Sequence, residues 1–144
     1  MKFKQEIEIN KPREKVIAYF DNPENLKKWM KGLISIEPIS GEPKQEGAKS
    51  LLKFKMGKRE MNMTETILVH NLPDEYTLSY EAKGVHNIVK NRFVKLSDNK
   101  TKYIVENEFQ FKGFMKIIGT FMPGSFKKQS LKYLQGFKNF AEKN

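Results

Sequence analysis

Phe3, Gln5, Ile7 and Ile9 alternate with Lys4, Glu6 and Glu8 at the start of the chain, the period of two of a strand with one covered face. The pattern then turns helical. Lys11-Pro12-Arg13-Glu14 opens a helix whose apolar residues are Val16, Ile17, Tyr19 and Phe20. Asn22-Pro23 opens a second, with Asn22 as cap and Pro23 at the first helical position, where its missing N–H costs nothing. Leu26, Trp29 and Met30 share a face of that short helix, and Gly32 ends it. Six strand-like runs follow: Leu33–Ser40, Ser50–Met56, Glu60–Val69, Tyr76–Ala82, His86–Leu96 and Thr101–Phe111, each closed by turn residues. Consecutive strands with tight turns predict an antiparallel meander.

The last stretch carries the strongest helical signal. Phe126, Ser130, Tyr133, Leu134, Phe137 and Ala141 recur at spacings of three and four, with Lys127, Lys128, Lys132 and Lys138 on the other side. From Gly124 to Glu142 such a helix would run roughly 28 Å, enough to lie across a sheet. Pro123 cannot sit inside a regular helix, so Phe114–Phe121 reads as a separate lead-in and Met122-Pro123-Gly124 as a hinge. One α+β domain over residues 1–144 is expected: a seven-stranded curved antiparallel sheet, two short helices after the first strand, and a long C-terminal helix over the sheet. The space beneath that helix is a candidate cavity.

Strand parity tells what faces it, because successive side chains point to opposite sides of a sheet. The inward set is Leu52, Phe54 and Met56; Met61, Met63, Glu65, Ile67 and Val69; Tyr76, Leu78 and Tyr80; Val89, Asn91 and Phe93; Tyr103, Val105, Asn107, Phe109 and Phe111. Lys53, Lys55, Asn62, Thr64, Lys90, Arg92, Lys102, Glu106 and Glu108 take the wet face. Glu65, Asn91 and Asn107 break the apolar rule. A polar group buried without a partner costs about 1 to 3 kcal/mol, which leaves two readings open. With Tyr80 they orient the polar end of a ligand, or they form a satisfied structural network. The methionines have the same two readings: Met30, Met56, Met61, Met63, Met115 and Met122 fall in segments expected to face the interior, and thioethers suit both a plain core and variable apolar contents.

Composition removes whole classes of function. The absence of cysteine excludes disulfides, thiolate catalysis and zinc fingers, and no metal or cofactor is expected. No run reaches the ~20 apolar residues of a membrane span, and Met1 to Glu6 lacks the apolar run of a signal peptide, which reads as cytoplasmic. The 27 Lys and Arg against 17 Asp and Glu give a net charge of +10. These are mostly lysines interleaved with acids, a solvated surface rather than a nucleic-acid interface, so nucleic acid is not an expected partner. Transient contact with an anionic membrane surface remains compatible with the charge. A monomer or weak dimer is the expected state.

Catalytic motifs are missing. There is no His-Glu-x-x-His, Gly-x-Ser-x-Gly or Gly-rich phosphate loop. His70, beside Asn71, reads as an exposed turn residue, and His86 as a rim or surface residue. If there is chemistry, Glu65 is the candidate acid or base, because burial raises a carboxyl pKa.

The order of elements, the opening Ile7-Glu8-Ile9-Asn10-Lys11-Pro12-Arg13-Glu14-Lys15-Val16, Asp21-Asn22-Pro23-Glu24-Asn25 before Trp29, and Lys112-Gly113-Phe114-Met115-Lys116 followed by Met122-Pro123-Gly124-Ser125-Phe126 resemble the SRPBCC superfamily across essentially the whole chain. This is the START-like, helix-grip group of polyketide cyclase/dehydrase-like proteins, birch-pollen-allergen relatives and activators of the Hsp90 ATPase. The resemblance implies a helix-grip fold and no shared catalytic set. The expected function is a cytosolic binding protein or carrier for a hydrophobic or amphipathic small molecule such as a lipid, isoprenoid or polyketide-like compound. Its expected walls are Trp29, Phe54, Met61, Met63, Phe93, Phe109, Met122, Phe126 and Tyr133, with Glu65, Tyr80, Asn91 and Asn107 as polar groups. The alternatives are a cyclase or dehydrase acting through Glu65, and a protein-interaction module like the Hsp90 activator domains.

Overall fold

The meander predicted from alternation and turn residues is present in the computed structural model, which describes all 144 residues. Strand β1 (Lys2–Ile9) leads to helix α1 (Arg13–Phe20), then a 3-10 turn (Pro23–Asn25) runs into the single-turn helix α2 (Leu26–Trp29). Strands β2 (Leu33–Ser40), β3 (Lys49–Met56), β4 (Arg59–Asn71), β5 (Glu75–Ala82), β6 (Val85–Ser97) and β7 (Lys100–Phe111) follow, then helices α3 (Phe114–Phe121) and α4 (Pro123–Lys143). The sheet order is β1-β7-β6-β5-β4-β3-β2, with every neighbouring pair antiparallel. β1 thus leaves its sequence neighbours to pair with β7, and β1 and β2 are the two edges of an open sheet.

The local signals act as their chemistry requires. Asn22 caps the 3-10 turn by accepting a hydrogen bond from the Glu24 N–H at 3.0 Å, and Gly32 leaves α2 at φ 94°, where a Cβ would sit 3.0 Å from the Lys55 carbonyl oxygen. α3 and α4 meet at Met122, and Pro123 occupies the first position of α4, so the proline breaks one amphipathic stretch into two helices.

One expectation fails in β4. Strict alternation groups Val69 with Ile67 on the inner face, yet the register shifts between them: Ile67 opposes Leu78, Val69 opposes Thr77 and His70 opposes Tyr76. A bulge adds one residue to a strand and exchanges the faces beyond it. Val69 is therefore turned to the outer face and His70 to the inner one. His70 is half-buried rather than an exposed turn residue, with Nε2 3.0 Å from Asp21 Oδ1 and its ring edge-on to Tyr76 at 4.9 Å.

The core lies at one end of the sheet. Ile9, Val16, Trp29, Phe93, Tyr103, Val105, Leu134, Phe137 and Ala141 form its main cluster, where α1, α2 and the second half of α4 meet β1, β6 and β7. Phe137, fully buried, sits 5.1 to 5.7 Å from the rings of Trp29, Phe20 and Tyr103. Gly136 explains how α4 comes so close to α2: a Cβ there would lie 2.5 Å from the Trp29 carbonyl oxygen. The three buried residues of α4 are Leu134, Phe137 and Ala141, all in its second half. Its first half covers something else.

Candidate functional site

Beneath the first half of α4 the sheet and helices enclose a cavity of about 750 Å³, and 24 of its 40 lining residues are hydrophobic. Its floor comes from inward residues of β3 to β7, its far wall from α2 and β2, and its roof from Ser125, Phe126, Gln129, Ser130, Tyr133 and Leu134. The two-residue period of the strands aims Phe54, Met61, Met63, Leu78, Val89, Val105 and Phe109 at this space. The 3.6-residue period of α4 brings Phe126, Tyr133 and Leu134 down onto it.

Of the residues expected to line it, Trp29, Phe54, Met61, Met63, Glu65, Tyr80, Asn91, Asn107, Phe109, Phe126 and Tyr133 do. Phe93 and Met122 do not. Phe93 points inward but falls under the second half of α4, stacked on Tyr103 with ring centroids 4.7 Å apart, so it belongs to the core. Met122 sits at the break between α3 and α4 and is 54% exposed. Parity along β6 and the helical period could locate the inner face, but not where the core ends and the cavity begins.

The three polar residues separate into two kinds. Asn91 is fully engaged: its Nδ2 donates to the Tyr76 carbonyl at 3.0 Å, and the Tyr103 hydroxyl donates to its Oδ1 at 2.6 Å. Asn107 is engaged as well, donating through Nδ2 to Ser130 Oγ at 3.2 Å and accepting at Oδ1 from Asn87 Nδ2 at 3.2 Å. That chain of bonds ties the roof to the floor. Both asparagines therefore serve the structural network as well as the wall.

Glu65 is different. It faces the cavity from the middle of β4, directly opposite Tyr80 on β5, whose phenol also lines the cavity. Burial pushes its carboxyl pKa up from the ordinary 4.5, and the neighbouring Tyr80 hydroxyl offsets only part of that rise. Tyr76, Tyr80 and Tyr103 are likewise pushed up, chiefly by burial, and Glu65 adds to the effect at Tyr76 and Tyr80. They stay neutral phenols, and Tyr103 donates its hydroxyl to Asn91. Apart from Asp21, which is partly exposed and paired with His70 and Lys44, the cavity thus presents one buried carboxyl with phenols around it in apolar surroundings.

Several lining residues were outside the sequence-derived set. Tyr76, Leu78, Val89 and Val105 belonged to the inward faces without being singled out; Asn87, in phase with Val89 and Asn91, and Gln129, between Phe126 and Tyr133, were passed over, while Ile36 and Pro38 had no such signal. β2 shows why: register shifts at both its ends and Pro38 at its edge disturb the alternation that would have revealed its face. His86 pairs with Glu81, Nδ1 to Oε1 at 3.1 Å, outside the cavity as expected. No cluster of His, Asp and Glu suitable for holding a metal ion is present.

Residues 1–142 match the model of a family described as polyketide cyclase / dehydrase and lipid transport. No curated protein matches the sequence. Among solved structures, a conserved protein from Geobacillus kaustophilus superposes with a TM-score of 0.81 at 18% identity, covering 99% of this chain and 96% of that one. The Zhui aromatase/cyclase from a Streptomyces species gives 0.78 at 12% identity, covering 99% of this chain and 93% of its own. Ara h 8.0201 gives 0.76 at 14% identity, covering 100% and 99%. At these identities the likenesses establish the fold, which is the helix-grip fold.

Proposed function

The chain belongs to the polyketide cyclase / dehydrase and lipid transport family, and from that premise we propose that it is a binding protein or carrier that encloses a hydrophobic or amphipathic small molecule between sheet and α4. The observation that carries this reading is the cavity: about 750 Å³, mostly apolar, with one buried carboxyl beside a phenol. That volume is within the range of roughly 300 to 1,000 Å³ usual for small-molecule sites, and lining it with a few convergent polar groups is how such sites orient a ligand. Methionines at 30, 56, 61, 63 and 115 give the walls freedom to adapt. Glu65 and Tyr80 take the polar end of the ligand; Asn91 and Asn107, already satisfied, hold the frame. Binding as a cytosolic monomer or weak dimer, without nucleic acid or cofactor, completes the proposal.

Titration with a neutral naphthylamine dye tests it. The wild type should take up the dye with blue-shifted emission, and Met63→Trp, which fills the cavity from β4, should weaken uptake by about tenfold while the thermal midpoint stays within a few degrees. Absence of uptake by the wild type, or uptake unaffected by a correctly folded Met63→Trp protein, would contradict the reading.

Glu65 favours one further reading, a cyclase or dehydrase. A carboxyl whose pKa is raised by burial is suited to accept a proton from an activated carbon and return it to an oxygen, with Tyr80 as a neutral donor beside it. The likeness to an aromatase/cyclase is compatible with this. Turnover of a poly-β-ketone would have to disappear in Glu65→Gln without loss of dye uptake; persistence of turnover would remove Glu65 from the chemistry.

A further inference from the structure

The two most exposed large apolar side chains of the molecule are Phe121, at 79%, and Phe114, at 72%, and both are in α3. Ile117 and Met122 add two more at 55% and 54%, so four exposed apolar residues fall within nine positions. They are not loose ends of the fold. α3 is anchored from its opposite side, where Gly119 lies so close to Phe111 that a Cβ would be 2.5 Å from its ring, and Met115 packs against Gly84. Phe114, Ile117 and Phe121 recur at spacings of three and four, so they form one outward stripe. No residue of α3 is buried, although five of its eight residues are large and apolar. A helix of this kind with one free face marks an interaction site.

Charge identifies the partner. Between Glu108 and Glu142 the chain carries no acidic residue and six lysines: Lys112, Lys116, Lys127, Lys128, Lys132 and Lys138. The first five make no ion pair, whereas Lys138 is held by Glu142 at 2.8 Å. Unpaired lysines thus flank the aromatic stripe on both sides. A second copy of the chain would bring an identical set of lysines against them, at a net charge of +10 per copy. An anionic surface would neutralise them instead.

We propose that α3, with Met122 and the flanking lysines, is a docking element for an anionic phospholipid bilayer, with Phe114, Ile117, Phe121 and Met122 entering the interface and the lysines meeting the head groups. Aromatic and aliphatic residues on one side of a short helix with lysines at its borders are the pattern of an element that lies in a membrane surface. No helix is long and apolar enough to cross one, so the contact is peripheral. Docking would bring the cavity's end at Met115 and Phe126 to the bilayer, since those two lining residues stand on α3 and at the start of α4. The proposal stands on the exposed stripe and its charge, whatever the cavity holds.

Co-sedimentation with vesicles of phosphatidylcholine, with and without phosphatidylglycerol, tests it. The full chain should pellet with the phosphatidylglycerol vesicles, be released by salt, and stay in solution with phosphatidylcholine alone. Phe114→Ser with Phe121→Ser should keep the thermal midpoint and weaken partitioning by about tenfold or more. A reporter variant, Phe121→Trp, should show a blue shift in emission on adding the same vesicles. Failure to pellet, an unshifted reporter, or binding indifferent to the two serines would overturn the proposal, the last by reducing it to surface charge. A dimer in lipid-free sedimentation velocity that the two serines dissolve would overturn it in favour of a second copy as the occupant.

Discussion

Glu65 sits where its charge is costly, on the middle of a strand beneath a covering helix, with the Tyr80 phenol opposite it. Its pKa is raised in the folded state above the ordinary 4.5, so the folded chain holds a proton that the unfolded chain releases as pH rises past that value. Stability is therefore greatest at the acid side of this transition and falls as pH climbs through the folded pKa. Glu65→Gln should remove that fall and stabilise the empty protein near neutral pH by on the order of 1 kcal/mol, read from urea unfolding at several pH values. An unchanged pH profile would mean that the carboxylate is well solvated. A glutamate among Met61, Met63 and Ile67 was visible in the sequence as a break in an apolar face. Its distinction from Asn91 and Asn107 was not, because their hydrogen-bond partners lie 12 to 23 positions away, on β5, β6, β7 and α4.

At the scale of elements, α4 has two duties divided near Leu134: its first half roofs the cavity, and its second half closes the core. Phe137 is fully buried among Phe20, Trp29 and Tyr103, while Phe126 is half-buried over Phe109 and Phe111, each at 5.0 Å. Phe137→Ala should then cost about 3 to 5 kcal/mol and Phe126→Ala only about 1 kcal/mol, a difference that denaturant unfolding resolves. Equal costs would mean that the helix packs uniformly. Seven strands, two short helices and the long helix were legible because each announces itself locally, through alternation, Asn22-Pro23, Gly32 and Pro123. The bulge after Ile67 was not, since it is set by how β4 pairs with β5, and it misplaced Val69 and His70. Phe93 and Met122 went astray for a related reason: periodicity gives a face, but only packing tells whether core, cavity or solvent meets it.

For the whole molecule, the placement of the core leaves the rest of the interior open. Only 21 of the 144 residues are buried, and residues that would complete a second core, among them Met61, Met63, Tyr76 and Tyr133, remain half-buried around an open space. An empty cavity of this size forfeits dispersion contacts along its lining, so an occupant that binds only the folded chain stabilises it by mass action. A carrier should therefore leave its own cells with something inside. Native mass spectrometry of protein purified from those cells measures this directly. A bound apolar or amphipathic molecule, lost on denaturation and depleted in the Met63→Trp protein, is the expected result; repeated spectra of the bare chain from fresh native preparations would exclude a carrier.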